Sequence, residues 1–146
     1  MFRRLIETSP TWATLPLRLV LGAIFIAHGS QKVLGAFGGH GLVAWTSGKT
    51  PFGFMRPSWL WLGAAALSEF IGSILVLVGL FTRLGAFLIC CVMLTAVTGV
   101  HWSHFFLPEG FEYALGLLGA ALALLIAGGG RASIDESLAR RRGRRR

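Results

Sequence analysis

Acidic residues are scarce in this chain. Six Asp and Glu stand against fourteen Lys and Arg, and charged residues of both signs make up only 14%. A soluble domain carries about 25% charged residues, so a well-solvated surface cannot be assembled from this composition. Cysteine is nearly absent too. The only two, Cys90 and Cys91, are adjacent and lie inside an apolar run. Neighbouring cysteines fit disulfide geometry poorly, and there is neither a CxxC motif nor a zinc spacing. Both read as small core residues rather than redox groups. A glycine-rich nucleotide loop, a nucleophile triad and a flavin fingerprint are also missing. The motifs therefore reveal no cofactor of the chain's own.

What is present is apolar. Hydrophobic residues make up 54% of the 146, and the mean hydropathy is +0.68. The length suits one domain, and the composition points to an integral membrane protein. The net charge of +8 is concentrated: Arg140, Arg141, Arg142, Arg144, Arg145 and Arg146 fall in the last seven residues. A nucleic-acid-binding tail is the alternative. In so apolar a chain, a disordered basic end beside anionic lipid is the simpler expectation, with no nucleic acid as partner.

Taken in order, residues 1–13 form a short basic lead-in with Arg3 and Arg4, residues 14–130 a membrane domain, and residues 131–146 a basic tail. The lead-in has the charge of a signal-peptide n-region, but no small-x-small cleavage site follows, so the first apolar run is expected to be retained. Four spans are expected, at about residues 14–36, 58–80, 83–102 and 111–127, near the twenty residues a bilayer requires. Residues 37–57, rich in Gly and Pro, form a long connection with a turn of interfacial helix near Leu42–Trp45. Phe52, Phe54, Trp59 and Trp61 read as an aromatic belt. Pro57 and Ser58 open the second span, with Ser58 as its cap. The turn after Gly79 is too short for anything but an antiparallel neighbour. The fold class is thus all-α, an antiparallel four-helix membrane bundle with a long outer loop between the first two spans.

The candidate chemistry centres on Glu69, near the middle of the second span. A carboxylate at that depth must face protein or water and find a partner. At 100° per residue, Arg18, Gly22, Phe25, Gly29 and Lys32 share one face of the first span, with His28 at its edge. By counting residues, Arg18 lies about 10 Å shallower than Glu69, and His28 within about 4–5 Å of its depth. His28 is therefore the expected direct partner, while contact of Arg18 with Glu69 stays open; with Glu69 removed, Arg18 is expected to snorkel to water. Cys91, Thr95 and Thr98 cluster on one side of the third span, with His101 farther round. The threonine hydroxyls either reach the site or bond back to their own helix. His101 and His104, three apart, together with Glu112 or His28, are compatible with a transition metal or haem. Interfacial histidines at a helix end are the simpler explanation. Gly116, Gly119, Ala120 and Ala123 make a small-residue stripe on the fourth span, of the kind that lets helices approach closely.

RLVLGAIFIAHGSQKVLG at residues 18–35, ALSEFIGSILVLVGLFTRLGA at 66–86 and EYALGLLGAALALLIAGGGRASID at 112–135 together resemble the DoxX family of small bacterial and archaeal membrane proteins. The resemblance implies a plasma-membrane protein tied to membrane redox complexes, including a thiosulfate:quinone oxidoreductase. It places Arg18, His28, Gln31, Lys32 and Glu69 at the family's polar motif positions. It does not by itself assign a reaction.

The expected function is the membrane subunit of a quinone-linked oxidoreductase complex. Quinone would be a bound co-substrate, beside soluble or membrane redox subunits or a second copy of the chain. In that reading Glu69 and His28 exchange protons, and Arg18, Gln31, Lys32, Thr95 and His101 contact the ligand. Two rivals stand beside it: a structural anchor for soluble partners, and a small proton-coupled transporter.

Orientation follows from the arginines. One side holds Arg3, Arg4, Arg83, Arg131 and the tail; the other holds only Lys32, Lys49 and Arg56. Both termini are therefore expected to be cytoplasmic. A reporter active only outside the cytoplasm should work when fused near Lys49 or Pro108 and fail after Arg146. Activity after Arg146 would reverse the orientation.

Overall fold

The computed structural model describes residues 6–106, 108 and 110–143. Arg3 and Arg4 of the lead-in and Arg144, Arg145 and Arg146 of the tail lie outside the described residues, as does the side chain of Arg142. Among the described residues there are helices and no strand. In chain order they are α1 (Thr14–Leu34), α2 (Gly41–Thr46), α3 (Ser58–Val78), α4 (Thr82–Thr95) with a π-helical turn (Ala96–Val100), α5 (Glu112–Ala127) and α6 (Ile134–Gly143). α1, α3 and α4 with its π turn run for 21, 21 and 19 residues, long and apolar enough to cross a membrane. α5 is equally apolar but has 16 residues, about 24 Å of helix.

α1 packs on α3, α3 on α4, α4 on α5, and α5 returns to α1. The pairs run antiparallel. Gly22 meets Leu77 and Gly29 meets Phe70, so α1 descends as α3 rises. Gly29 sets that closeness: a Cβ there would stand 2.7 Å from the Cα of Phe70. Any side chain would force the two helices apart. The face of α1 predicted from its periodicity is the buried one, with Arg18, Gly22, Phe25 and Gly29 all enclosed. Leu21 and Phe25 meet Val76, Ala86, Ile89, Ala121 and Leu124 in the core.

The end of the molecule that carries both termini is closed by polar contacts. Arg18 is 2% exposed and does not snorkel. Its Nε donates to the Val76 carbonyl at 3.0 Å and its Nη2 to that of Leu77 at 3.0 Å. Its Nη1 donates to the carbonyls of Gly129 and Ala132, both at 3.1 Å. Val76 and Leu77 lie in the last turn of α3, where carbonyls have no partner within the helix. A cation there also complements the helix dipole. Gly79 ends α3 with φ +70°, a left-handed conformation that glycine adopts at no steric cost. The N–H of Leu80 then returns to the Leu75 carbonyl at 3.0 Å.

Asp135 performs the opposite task on α4. Its carboxylate accepts from the N–H groups of Phe81 at 2.8 Å and Thr82 at 2.9 Å, and from the Thr82 hydroxyl at 2.8 Å. These are the unpartnered donors of a helix N-terminus. The Asp135 N–H binds the Gly79 carbonyl at 2.9 Å. The lead-in joins the same end, with Ser9 N–H on the Ala127 carbonyl at 2.9 Å and Arg131 N–H on that of Thr11 at 2.8 Å.

Several expectations change. The start of the tail is not disordered: residues 134–143 form α6, because Asp135 seats it on the α3–α4 turn. Ser58 is the first residue of α3 rather than its cap, and Pro57 before it makes no side-chain cap bond. Of the stripe on α5, Gly116, Gly119 and Ala123 face outward, while Ala120 packs against the core. A Cβ at Gly116 or Gly119 would meet nothing within 4 Å, since Ala114, Ala121 and Leu124 take the buried face instead. The third span leaves α-helical bonding at Thr95, and the His101 N–H reaches the Ala96 carbonyl, five residues back, at 3.0 Å. Here the hydroxyls of Thr95 and Thr98 take the carbonyls of Cys91 and Leu94, and back-bonding of this kind bends helices. Phe52 and Pro51 also pack against Gly99.

Arg18→Ala should lower the melting temperature in detergent more than Glu69→Ala does. It removes four hydrogen bonds in a dry end of the molecule, although the Val76 and Gly129 carbonyls keep the Gly79 N–H and the Thr14 hydroxyl, and should cost about 3–5 kcal/mol. Arg18→Lys should recover little of that, because one ammonium cannot span four carbonyls of two segments. Equal melting of Arg18→Ala and wild type would show that the closure contributes nothing.

Candidate functional site

At the opposite end the helices enclose a cavity of about 560 Å³, within the range of small-ligand sites. Its walls come from α1, α3, α4 with its π turn, and α5. Trp45 of α2 and the segment after it, at Lys49, Thr50 and Pro51, form the roof. Most of the lining is apolar or aromatic. The polar side chains on it include His28, Lys32, Ser68, Glu69, Thr95 and His101.

The centre of that wall is an ion pair. Lys32 Nζ lies 2.5 Å from both Oε1 and Oε2 of Glu69. The Glu69 side chain is 3% exposed and that of Lys32 19%. The ammonium also sits over the Trp45 ring, 4.7 Å from its centroid. The Trp45 Nε1–H donates to the Leu62 carbonyl at 3.0 Å, which fixes the ring. Lys32 is thus held by a carboxylate on α3 and a cation–π contact from α2. A pair this enclosed is costly to desolvate, and its attraction is correspondingly strong.

His28 is therefore not the ion partner of Glu69. The α1–α3 register places Glu69 level with residue 30, so His28 and Lys32 are about equally distant from it in depth. Azimuth decides between them. Lys32 continues the face of Arg18, Phe25 and Gly29 that packs on α3, whereas His28 is turned aside and exposed. Residue counting gives depth but not the rotation of one helix against its neighbour.

His28, Lys32, Glu69, Thr95 and His101 are brought to one cavity. Arg18 is not: it closes the far end. Gln31 is off the wall too, with its Nε2 3.4 Å from the Phe37 carbonyl. The Thr95 hydroxyl lies on the wall but donates to the Cys91 carbonyl at 3.0 Å, so it retains acceptor capacity. The π turn brings His101 round to the wall with Cys91 and Thr95. His104 and Glu112 do not line it. Among the described residues no three His, Cys, Asp or Glu side chains gather as metal ligands would.

Two residues escaped the sequence reading. Trp45 carried no signal beyond its place in an interfacial turn. Asp135 stands in a charged tail that looked solvated, although two adjacent acids, Asp135 and Glu136, ahead of a run of arginines were a visible irregularity.

Lys32→Met should destabilise the protein more than Glu69→Gln. It leaves a nearly enclosed carboxylate without its cation, while Glu69→Gln leaves an ammonium still partly exposed and still on Trp45. The exposure of Lys32 puts the pair between a surface bridge and a fully buried one, so the coupling should be about 2 kcal/mol. The double variant should melt closer to wild type than Lys32→Met alone. Simple addition of the two single effects would mean that the pair is not coupled.

The family model described as DoxX matches residues 13–102. No curated protein and no solved structure matches the chain. The matched stretch runs from the start of α1 through the π turn. It contains Lys32, Glu69, Trp45, His28 and His101, and leaves to α5 only Tyr113, Ala114 and Leu117 of the cavity wall. With well over half of its residues matched, and with three helices long and apolar enough to cross a bilayer, the chain belongs to the DoxX family of membrane proteins.

Proposed function

We propose that this chain is the membrane subunit of a quinone-linked redox complex, and that the cavity receives the quinone ring. The carrying observation is the Lys32–Glu69 pair, set in a largely apolar wall at the mouth of a ligand-sized space. A quinone is a flat apolar ring with two carbonyl acceptors. Apolar walls and aromatic rings suit the ring, and a lysine ammonium suits a carbonyl. His101 and the Thr95 hydroxyl stand on the α4 side, where the opposite end of the ring would lie.

Reduction of a quinone takes up two electrons and two protons. In this reading a partner redox subunit delivers the electrons. Lys32 orients and polarises the first carbonyl. Glu69, released from Lys32 as the ammonium turns to the ligand, takes up each of the two protons in turn from water by way of His28, exposed at the cavity edge, and passes it to the reduced ring. Arg18 acts from a distance, holding α1 and α3 in the register that sets Lys32 against Glu69. The proposal includes four antiparallel spans with α5 as the fourth, both termini cytoplasmic, in a bacterial or archaeal plasma membrane. The arginine asymmetry supports that orientation.

The test is titration of a fluorescent quinone analogue into the reconstituted protein from mildly acid to mildly basic pH. Lys32→Met should weaken binding about tenfold or more, the worth of one charge-assisted hydrogen bond. Glu69→Gln should bind the analogue but with an altered pH dependence, because an amide keeps the shape and cannot exchange the proton. If Glu69→Gln and wild type bind alike at every pH, Glu69 is a packing residue. If no form binds, the structural-anchor reading takes the place of this one.

A further inference from the structure

Among the described residues, the strongly charged surface apart from the cavity lies at the closed end. α6 carries Arg140 and Arg141 in exposed positions, and the chain continues into further arginines. Arg131 is exposed on the same end, and Arg83 is bound there to the carbonyls of Glu7 at 3.0 Å and Ile126 at 2.8 Å. The acids near this surface offset little of that charge. Asp135 is buried and committed to the start of α4. Glu136 pairs with Arg140, Nη2 to Oε1, at 2.8 Å, yet the Arg140 side chain stays 72% exposed.

The height of this surface is fixed. Asp135 ties the first turn of α6 to the turn that joins α3 and α4. Arg131 N–H ties the segment before it to Thr11, next to Trp12. Trp12 is 58% exposed at the foot of α1, as an aromatic anchor at the membrane–water boundary would be. Ile134, also exposed, lies beside the anchor point. α6 therefore starts at the level of the lipid headgroups. At 1.5 Å per residue its whole length is about 15 Å, so its arginines cannot travel far from them.

We propose that α6 is an anionic-phospholipid site, seated by Asp135, and that lipid bound there stabilises the closed end of the bundle. A flexible basic tail would also attract anionic lipid, at about the same distance law. It would not transmit that binding to the protein, because nothing would connect the two. Here the connection is explicit. Lipid phosphates hold α6, α6 carries Asp135, and Asp135 completes the N-terminus of α4 beside the carbonyls bound by Arg18. Binding to the folded state alone then raises stability by mass action.

The experiment uses the full chain in mild detergent with added phosphatidylglycerol or phosphatidylethanolamine. Retained lipid is read by native mass spectrometry, and melting by tryptophan fluorescence. Phosphatidylglycerol should be retained at least tenfold better than phosphatidylethanolamine, and should raise the melting temperature by roughly 4 °C or more. A variant with Gln at positions 140, 141, 142, 144, 145 and 146 should lose both effects. Asp135→Asn keeps the arginines, so it should still retain phosphatidylglycerol but lose the melting shift. Equal retention of the two lipids, or unchanged retention by the glutamine variant, overturns the proposal. So does a melting shift that persists in Asp135→Asn, since the seat would then be irrelevant. A short RNA that displaces phosphatidylglycerol at physiological salt would assign the surface to nucleic acid instead. If Asp135→Asn does not fold, the glutamine variant decides both measurements, because its substitutions lie on an exposed, charged stretch.

Discussion

One side chain closes the structure. Arg18 sends four hydrogen bonds to carbonyls of α3 and of the segment after α5. Those of Val76 and Leu77 belong to the last turn of α3, where a helix runs short of its own donors. In an apolar surrounding a carbonyl left without a donor costs of order kilocalories. A guanidinium has five donors in a rigid fork and keeps its charge, so it can serve both segments at once. Asp135 mirrors it with a carboxylate on the neighbouring helix N-terminus. Together they convert two helix ends, a lead-in and a tail into one polar closure.

That closure has a consequence at the other end. Helices tied tightly at one end, with Gly29 drawing α1 onto α3, need not converge at the other. The outer halves of α3, α4 and α5 stand apart far enough to leave a cavity of about 560 Å³, and α2 covers it. The ion pair sits near this opening rather than in the closure. The buried charges thus have separate duties. Arg18 meets only backbone and sets register, whereas Lys32 and Glu69 meet each other on the wall of the cavity. A charge pair there adds little certain stability, which is why its place on a cavity wall bears on function more than on folding.

The membrane class, the apolar spans and the buried face of α1 were legible in the sequence. Each depends on composition or on helical period, and both are local properties. Arg18, Lys32 and Glu69 also stood out locally, because ionisable residues within apolar runs are rare. The polar face that contains Arg18 and Lys32 was therefore visible before any partner was known.

What each of those residues touches was decided only by tertiary structure. Depth counting favoured His28 for Glu69 and left the contact between Arg18 and Glu69 open. The rotation of α1 against α3 gave Glu69 to Lys32, and the carbonyls of two distant turns enclosed Arg18. The same holds for α5, whose glycine stripe faces outward because Ala114, Ala121 and Leu124 happen to oppose the core. It holds for the π turn as well, which needs Phe52 and Pro51 from 45 or more residues earlier in the chain. Asp135 is the extreme case. Its hydrogen-bond partners are 53 and 54 residues away, so only the folded chain turns a charged tail residue into the cap of α4. Period and composition repeat along the chain and can be read from it. Register, rotation and capping across segments depend on where two distant stretches meet, which no local pattern records.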